Sequence, residues 1–277
     1  MMHIGFDGNG YQTDLSSSED LLQWKKEGII LKRGCHKDWD KVGMAGVWIL
    51  KNCDLYGDNE LIKVDGKYWL FYHSYPDEGY ENGAAKVGLA YTDDENLLNW
   101  HFIDEPIFCP SDGENWDSGG LYKTAVVRHE EKYYMFYNAK NIVDGDWKEQ
   151  TGVAVSNDML HWERYKENPI LRVEENTWQE TFVSDPCITY DSKNKVWALF
   201  FFGFDGKNAR EGIAIGKDLL HFDKYDKPII DIGDNEEIDS LHAHKPGIIY
   251  NNGTLYHFYC ACAKNSRCIT VAASKPF

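Results

Sequence analysis

One pattern occurs four times along this chain and constrains its fold more than any other feature. Each copy is a strand-like run that leads into a polar turn, two apolar residues, one polar residue and an aromatic ring. The copies end, at similar intervals, on Trp24, Trp100, Trp162 and Phe222. Because a repeat of this kind is one supersecondary unit, the pattern predicts a fold built from several copies of that unit. Repeats arranged around an axis bring equivalent positions together, so a functional site is expected at that axis.

Each unit is predicted to contain four short antiparallel strands. Two apolar, aromatic-rich runs come first, separated by turn signals such as Asp65-Gly66 and Asn252-Gly253. The repeated phrase supplies a third strand, and a further apolar run, such as residues 168–172, supplies a fourth. Four-stranded antiparallel units in series are typical of a β-propeller, in which each unit is one blade.

The number of units predicts an all-β, five-bladed β-propeller with an incomplete first blade. The N-terminal segment contains outer strands only, so the inner strand of the first blade is expected to be missing at the N-terminus. We expect one domain over residues 1–277, a length that supports a single core. The remaining blades are predicted at residues 54–108, 121–172, 183–230 and 242–277.

The repeated phrase also predicts local contacts. Asp20, Asp158 and Asp218 are expected to accept hydrogen bonds from backbone amides and so to close the turn. The aromatic ring that ends each phrase is expected to cover the apolar seam between neighbouring blades. Packing at the seam is preferred to the alternative reading, in which these rings are platforms for a sugar.

Composition excludes several classes of partner. The chain has 29 Lys and Arg against 45 Asp and Glu, a formal net charge of −16, which argues against nucleic acids and anionic membranes as partners. No apolar run has the ~18–20 residues of a membrane helix. The N-terminus lacks the basic-then-apolar pattern of a secretion signal, so a reducing cytoplasmic setting is expected.

Charged residues occupy one register position in the predicted inner strands. Aligned on their hairpins, the four strands carry Asp58, Lys123, Asp185 and Lys245 at this position. Charges beside a core are unfavourable without partners. They therefore either form a ring of salt bridges that closes the channel or line a polar pocket, and we favour the pocket.

Further polar and aromatic residues lie in the loops just ahead of these strands, where catalytic groups sit on a rigid scaffold. Hydrolysis of a glycosidic bond needs two carboxyl groups, roughly 5–5.5 Å apart in retaining enzymes and 6.5–9.5 Å apart in inverting enzymes. Inner-strand starts on different blades can place carboxylates at such separations. The loop residues of interest are Trp116 and Asp117, then Glu180, then His242 and His244.

Two motifs carry a family resemblance. Asp185-Pro186 and the run from Asp58 to Val64-Asp-Gly-Lys-Tyr-Trp-Leu-Phe-Tyr72 resemble the five-bladed propeller glycosidases: glycoside hydrolase families 43 and 32 and the mannoside phosphorylases of family 130. The resemblance extends through the repeats over essentially the whole chain. It implies a carbohydrate-active enzyme with paired carboxylates in the central pocket.

Family 43 takes its base, a pKa-tuning Asp and its acid Glu from the inner strands of the first three blades. By this resemblance Asp58 matches the second-blade Asp, the first-blade position is absent, and Lys123 stands where the acid Glu is expected. Glu180 and Asp185 are then the replacement candidates for acid or base. Family 130 has a Lys on the corresponding strand, so Lys123 with the His and Lys residues of the fifth blade also resembles a phosphate-binding set.

No metal site and no cofactor are predicted. His242 and His244 point to the same side of a strand, but the sequence shows no obvious third ligand. The spacing of Cys260 and Cys262 is explained by the alternation of a strand.

The sequence therefore predicts an inverting glycoside hydrolase that acts on an oligosaccharide or glycoside. One alternative is a glycoside phosphorylase that uses inorganic phosphate, and another is a catalytically inactive sugar-binding propeller. The predicted catalytic residues are Asp58, Glu180 and Asp185. The predicted substrate-binding residues are Trp116, Asp117, Lys123, His242, His244 and Lys245.

Overall fold

The computed structural model describes residues 1–34, 38–113, 115–143, 146–234 and 236–275. Every regular element in these residues is a β-strand, and none is a helix that could cross a membrane. The strands are β1 (Met2–Phe6), β2 (Tyr11–Ser17), β3 (Lys25–Leu31), β4 (Gly43–Ile49), β5 (Tyr68–Tyr75), β6 (Lys86–Thr92), β7 (His101–Phe102), β8 (Leu121–His129), β9 (Lys132–Val143), β10 (Asp146–Ser156), β11 (Glu163–Arg164), β12 (Phe182–Asp191), β13 (Val196–Phe204), β14 (Ala209–Gly216), β15 (Asp223–Lys224), β16 (His242–Asn251), β17 (Thr254–Ala263) and β18 (Ser266–Ala273).

Antiparallel neighbours along the chain pair into successive units. The first sheet has the order β1-β2-β3 and the second has the order β4-β5-β6-β7. The third sheet contains three further units, β8–β11, β12–β15 and β16–β18. Single parallel pairs join these units, Glu149 with Phe182 and Ala209 with His242. The repeat in the sequence is therefore a repeat of antiparallel strand units.

The second unit begins earlier than the sequence predicts. The turn at Asp65-Gly66 forms as expected, because the backbones of Val64 and Lys67 exchange two hydrogen bonds. The strand that pairs with β5 on its inner side is nevertheless β4, which starts at Gly43 rather than near residue 54. Residues 51–63 form an inserted segment with two isolated bridges, one within it from Lys51 to Leu61 and one from Asp54 to Tyr190 of β12. A local hairpin signal cannot distinguish such an insertion from an inner strand.

The predicted turns and seams are present. Oδ1 of Asp20 accepts from the amides of Leu22 and Gln23, and Asp158 and Asp218 accept from the two corresponding amides of their own turns. The aromatic rings that follow pack across units. Their partners are Phe258 for Trp24, Phe71 for Trp162 and Phe136 for Phe222, at ring-centroid distances of 5.8, 6.2 and 5.8 Å.

A second repeated contact, which was not expected from the sequence, holds the loops before β4, β8 and β12. The rings of Trp39, Trp116 and Trp178 stack on Tyr72, Tyr137 and Phe201, which are equivalent residues of β5, β9 and β13. The tyrosine hydroxyls also donate to the acidic residue that follows the tryptophan. Tyr72 contacts Asp40 at 2.9 Å, and Tyr137 contacts Asp117 at 3.4 Å. These Trp and Asp residues are parts of the scaffold.

The inner strands of the last three units are interrupted at the same point by a β-bulge. Two residues of the inner strand stand opposite one residue of its partner between Tyr122 and Ala125, between Ser184 and Cys187, and between His244 and Gly247. The first bulged residue is Lys123, Asp185 or Lys245, with φ of 39°, 54° and 69° respectively. Left-handed φ costs a non-Gly residue on the order of 1–3 kcal/mol and is retained where it aims a side chain. The bulges therefore set the directions of the Lys123, Asp185 and Lys245 side chains.

Candidate functional site

A cavity of about 460 Å³ lies where the bulged starts of β8, β12 and β16 meet. A larger cavity of about 890 Å³ adjoins it and shares the three bulged residues Lys123, Asp185 and Lys245. The smaller cavity has aromatic, acidic and basic walls. The aromatic residues are Tyr75, Tyr80, Tyr122, Phe182, Phe202 and Phe204; the acidic residues are Glu81, Glu149 and Asp185; the basic residues are Lys123, Lys245 and Arg267.

Asp185 and Lys245 form an ion pair at the edge of this cavity, with Nζ donating to Oδ2 at 3.1 Å. Burial by itself would raise the pKa of Asp185, but the ammonium groups of Lys245 and Lys123 outweigh it and lower that pKa. Burial would likewise lower the pKa of Lys245, and the Asp185 carboxylate reverses this effect. Asp185 is therefore held as a carboxylate.

Lys123 has no carboxylate at salt-bridge distance among the described residues. Its burial, reinforced by the positive charge of Lys245, lowers its pKa to about 8. The backbone amide of Lys123 donates to Nδ1 of the buried His73 at 3.4 Å, which fixes the bulge against the second unit. Lys123 can thus carry or lose its charge close to neutral pH.

Glu149 on β10 is a carboxyl group that the sequence analysis did not select. It is 6% exposed, and three side chains donate to it: Asn138 at 2.8 Å, Trp147 at 2.9 Å and Ser184 at 2.7 Å. Burial, reinforced by the nearby Glu81 carboxylate, raises the pKa of Glu149 to about 7 against these hydrogen bonds. A carboxyl group that is protonated up to neutral pH is a competent proton donor.

One hydroxyl contacts both carboxyl groups. Oγ of Ser184 lies 2.7 Å from Oε2 of Glu149 and 3.1 Å from Oδ1 of Asp185. Two carboxyl groups whose surroundings move their pKa values in opposite directions therefore share a hydrogen-bonding neighbour at one cavity. Such a pair can divide the roles of proton donor and ionised carboxylate.

The structure brings together only part of the predicted site. Lys123, Asp185, Lys245, His242 and His244 all line the smaller cavity. His242 accepts from the amide of Ala209 through Nδ1 at 3.2 Å, and Nε2 of His244 lies 3.1 Å from Nη2 of Arg267.

The placement of Asp58 was wrong. It lies in the inserted segment 51–63, accepts from Asn52 and from the amide of Glu60, and does not line either cavity. The neighbouring Asn59 contacts the backbone of Tyr250, near the end of β16 opposite to its bulge. The residues of β4 at the bulge position are Gly46 and Val47, which carry no charge.

Three loop residues also lie away from the cavities. Glu180 is exposed and lines neither of them. Trp116 stacks on Tyr137, and the buried Asp117 accepts from Nε of Arg164 at 2.7 Å. The structure therefore does not bring Glu180, Trp116 and Asp117 to the cavities with the other predicted site residues.

Only a weak pattern in the sequence points to Glu149. It stands three residues before Gly152, at which the repeated phrase of its unit begins, inside a strand that otherwise becomes apolar. Glu149 lies on the third strand of its unit, β10, so an alignment of inner strands does not contain it. Glu81 lies in the connection between β5 and β6, and only the folded chain brings it to the cavity, where Tyr11 donates to it at 3.3 Å.

Comparisons with known proteins agree with this architecture. Residues 54–228, more than half of the chain, match the model of the glycosyl hydrolases family 32 N-terminal domain. A curated relative, the beta-1,2-mannobiose phosphorylase of Thermoanaerobacter sp. (strain X514), is 28% identical over 117 residues. That match spans 38% of this chain and only 37% of the relative.

Solved structures match over nearly the whole chain. One, a complex of BT0996 with RGII, is 30% identical with a TM-score of 0.87, and the match covers 99% of this chain and 81% of the other protein. Another, described as a glycoside hydrolase, is 28% identical with a TM-score of 0.88, and the corresponding shares are 100% and 84%. A thermostable family-43 glycoside hydrolase and a member of the GH130 family of mannoside phosphorylases share the fold at 16% and 14% identity, with TM-scores of 0.70 and 0.66.

The repeated strand units, the cavity at their inner strands and these matches lead to one conclusion. The chain belongs to the glycosyl hydrolases family 32 N-terminal domain family, and it has the β-propeller fold of the glycosidases and phosphorylases of families 43, 32 and 130.

Proposed function

We propose that this chain cleaves glycosidic bonds of an oligosaccharide or glycoside in the cavity of about 460 Å³, with Glu149 as the proton donor. The observation that carries the proposal is the opposite shift of two pKa values at one cavity. The pKa of Glu149 is raised to about 7 and that of Asp185 is lowered. The protonated group can donate to the leaving oxygen, while the ionised group stabilises the positive charge of an oxocarbenium-like transition state.

The walls of the cavity suit a sugar. Tyr75 and Tyr122 stack on one another at 5.3 Å on one side, and Phe182, Phe202 and Phe204 contribute rings on another. Apolar ring faces pack against the C–H faces of a pyranose or furanose, while the charged groups between them bind hydroxyls. This combination supports a carbohydrate substrate without specifying the sugar.

The spacing of the two carboxyl groups bears on the stereochemistry. Since one hydroxyl contacts both groups, at 2.7 and 3.1 Å, their nearest oxygens are closer than the roughly 6.5 Å that accommodates a water molecule in inverting enzymes. An inverting reaction would therefore take its base from Glu81, the third acidic residue of the cavity. Retention of configuration would instead make Asp185 the nucleophile.

The experiment is a screen of aryl glycosides and oligosaccharides in phosphate-free buffer, followed by NMR of the first anomer released. Free sugar from the wild-type protein is expected, with release from oligosaccharides at least about a hundredfold slower in the Glu149→Gln variant. Release of a retained anomer supports Asp185 as nucleophile, and an inverted anomer supports Glu81 as base. If the purified protein binds sugars calorimetrically but cleaves none of them, the inactive sugar-binding alternative replaces this proposal.

A second candidate function is a glycoside phosphorylase. Lys123, Lys245 and Arg267 line the same cavity, and a cluster of cations suits a phosphate nucleophile. The assay is the same screen with inorganic phosphate added. Turnover that requires phosphate and yields a sugar 1-phosphate favours the phosphorylase, whereas equal rates with and without phosphate favour the hydrolase.

We also propose that the strand units are five propeller blades, the first of which lacks its inner strand. The three-stranded order β1-β2-β3 and the contact of Trp24 with Phe258 in the last unit support this arrangement. A crystal structure tests it directly, and an additional strand paired with the free edge of β1 would contradict it.

A further inference from the structure

The hairpin of β16 and β17 carries four metal-ligand side chains on one face. Pairing sets His242 opposite Cys262 and His244 opposite Cys260. Because side chains two residues apart on a strand point to the same side, all four occupy one patch of the sheet. The His pair and the Cys pair are separate in the sequence, and only the register of the hairpin joins them.

Three of these residues converge closely. One ligand atom each of His244, Cys260 and Cys262 lies within 4.8 Å of the other two. Both cysteines are free thiols, and His244 and Cys262 are buried. Nδ1 of His244 has no hydrogen-bond partner among the described residues although the residue is only 7% exposed. A buried ring nitrogen without a partner is unfavourable unless a further group binds to it, and the His244 ring that carries it lies beside the two thiols.

We propose that His244, Cys260 and Cys262 form a binding site for Zn²⁺ in the wall of the cavity. Two thiolates and an imidazole are the soft and borderline donors that zinc prefers. Ca²⁺ and Mg²⁺ require oxygen ligands and are not expected there. His244 and Cys262 both line the smaller cavity, so the fourth coordination position faces it. That position is open to His242, to water or to an oxygen of a bound sugar.

The side chain of Arg267 lies beside the proposed ligands. Its Nε donates to Sγ of Cys260 at 3.3 Å, and its Nη2 lies 3.1 Å from Nε2 of His244. Arg267 is on the exposed strand β18, so its side chain can swing into solvent when an ion binds. The two thiolates neutralise the two charges of Zn²⁺, and the protons still held by the thiols are released to solvent on binding.

The site does not depend on the proposed glycosidase activity, so its test uses no substrate. The probe is Co²⁺, a spectroscopic replacement for zinc, titrated into the reduced wild-type protein and followed by Zn²⁺ competition. We expect one equivalent to give sulfur-to-cobalt charge-transfer absorbance and tetrahedral d–d bands, and Zn²⁺ to displace it with a Kd below about 1 μM. Absence of the charge-transfer absorbance, or octahedral bands alone, overturns the proposal.

Variants locate the ion within the chain. Cys260→Ser and Cys262→Ser should each abolish the charge-transfer bands or weaken Zn²⁺ binding at least tenfold, while Cys268→Ser, an exposed cysteine of β18, serves as the matched control and should bind like the wild type. Arg267→Gln should tighten binding several-fold because it removes a competing cation. Circular dichroism verifies the fold of each variant. Loss of binding in Cys268→Ser, or unchanged binding in both ligand variants, refutes the assignment.

Discussion

Asp185 and Lys245 stand at equivalent bulges of neighbouring units, 60 residues apart in the chain, and their side chains meet at 3.1 Å. The pair closes the part of the cavity wall between β12 and β16. Lys123 holds the same bulge position in β8, and both ammonium groups lower the pKa of the Asp185 carboxyl. The shared backbone geometry thus brings one carboxylate and two lysine side chains to one cavity.

The ion pair predicts a non-additive effect on stability. Lys245→Met leaves the Asp185 carboxylate, which is 8% exposed, without its partner. We expect a loss of about 2–4 kcal/mol in the free energy of unfolding, toward the lower part of the range for buried pairs because the Lys245 side chain is 27% exposed. Urea denaturation measures the free energy of unfolding of each variant. The loss in the double variant Asp185→Asn/Lys245→Met should be smaller than the sum of the losses in the two single variants. If the loss in the double variant equals that sum, the two side chains do not stabilise one another.

Replacement of the proposed proton donor predicts a large loss of activity. Glu149→Gln keeps the shape of the side chain and can still accept from Ser184, but it removes the transferable proton. We expect kcat/KM to fall by at least about a hundredfold with substrates whose leaving group needs protonation. Glu180→Gln is the matched control, since Glu180 is exposed and away from the cavities, and it should retain wild-type rates. Equal losses in both variants would place the chemistry elsewhere.

The pH dependence of the rate should follow the pKa of Glu149, which is about 7. Below that value the carboxyl group is protonated and can donate; above it the donor is lost. We therefore expect kcat/KM to decline on the alkaline side, approaching a tenfold loss per pH unit. A pH–rate profile with good and poor leaving groups checks this, because a leaving group that needs no proton should lose less. A flat alkaline limb with poor leaving groups would exclude Glu149 as the acid.

The same group predicts a pH dependence of stability. Its folded-state pKa of about 7 lies above the ordinary value of 4.5, so its contribution is fully present below pH 4.5 and is lost as the pH rises through 7. Relative to Glu149→Gln, the wild-type protein should lose about 3 kcal/mol over that window. Denaturant unfolding of the two proteins at several pH values measures the difference. A constant difference from pH 4 to 8 would show that Glu149 titrates normally.

Trp116 and Asp117 should behave as scaffold residues. Trp116→Ala removes a half-buried ring that stacks on Tyr137 and is expected to lower the free energy of unfolding by about 2–3 kcal/mol, less than the same change at a fully buried core position. Asp117→Asn weakens the contact with Arg164 and should also destabilise. For the folded fraction, kcat and KM should stay within about twofold of the wild type. A selective rise in KM at unchanged stability would restore the substrate-binding assignment made from the sequence.

The repeat allowed much of the architecture and part of the site to be predicted. Lys123, Asp185 and Lys245 were aligned correctly because each is followed at a fixed distance by a tight hairpin turn and an aromatic-rich strand. Asp58 was misaligned because an inserted segment precedes its hairpin, and the turn signal at Asp65-Gly66 is identical in both arrangements. Glu180 was chosen for its proximity in sequence to Asp185, although the loop directs it to solvent.

The sequence by itself determined the repeated strand units, their turns, their seams and the charged position shared by the last three inner strands, because these depend on local residue patterns that recur along the chain. Tertiary structure alone decided which carboxyl group is the candidate acid. The burial of Glu149, the contact of Ser184 with both carboxyl groups and the approach of Cys260 and Cys262 to His244 all arise between strands of different units or across a hairpin. Strand register and desolvation set these relationships, and neither is a property of any short segment.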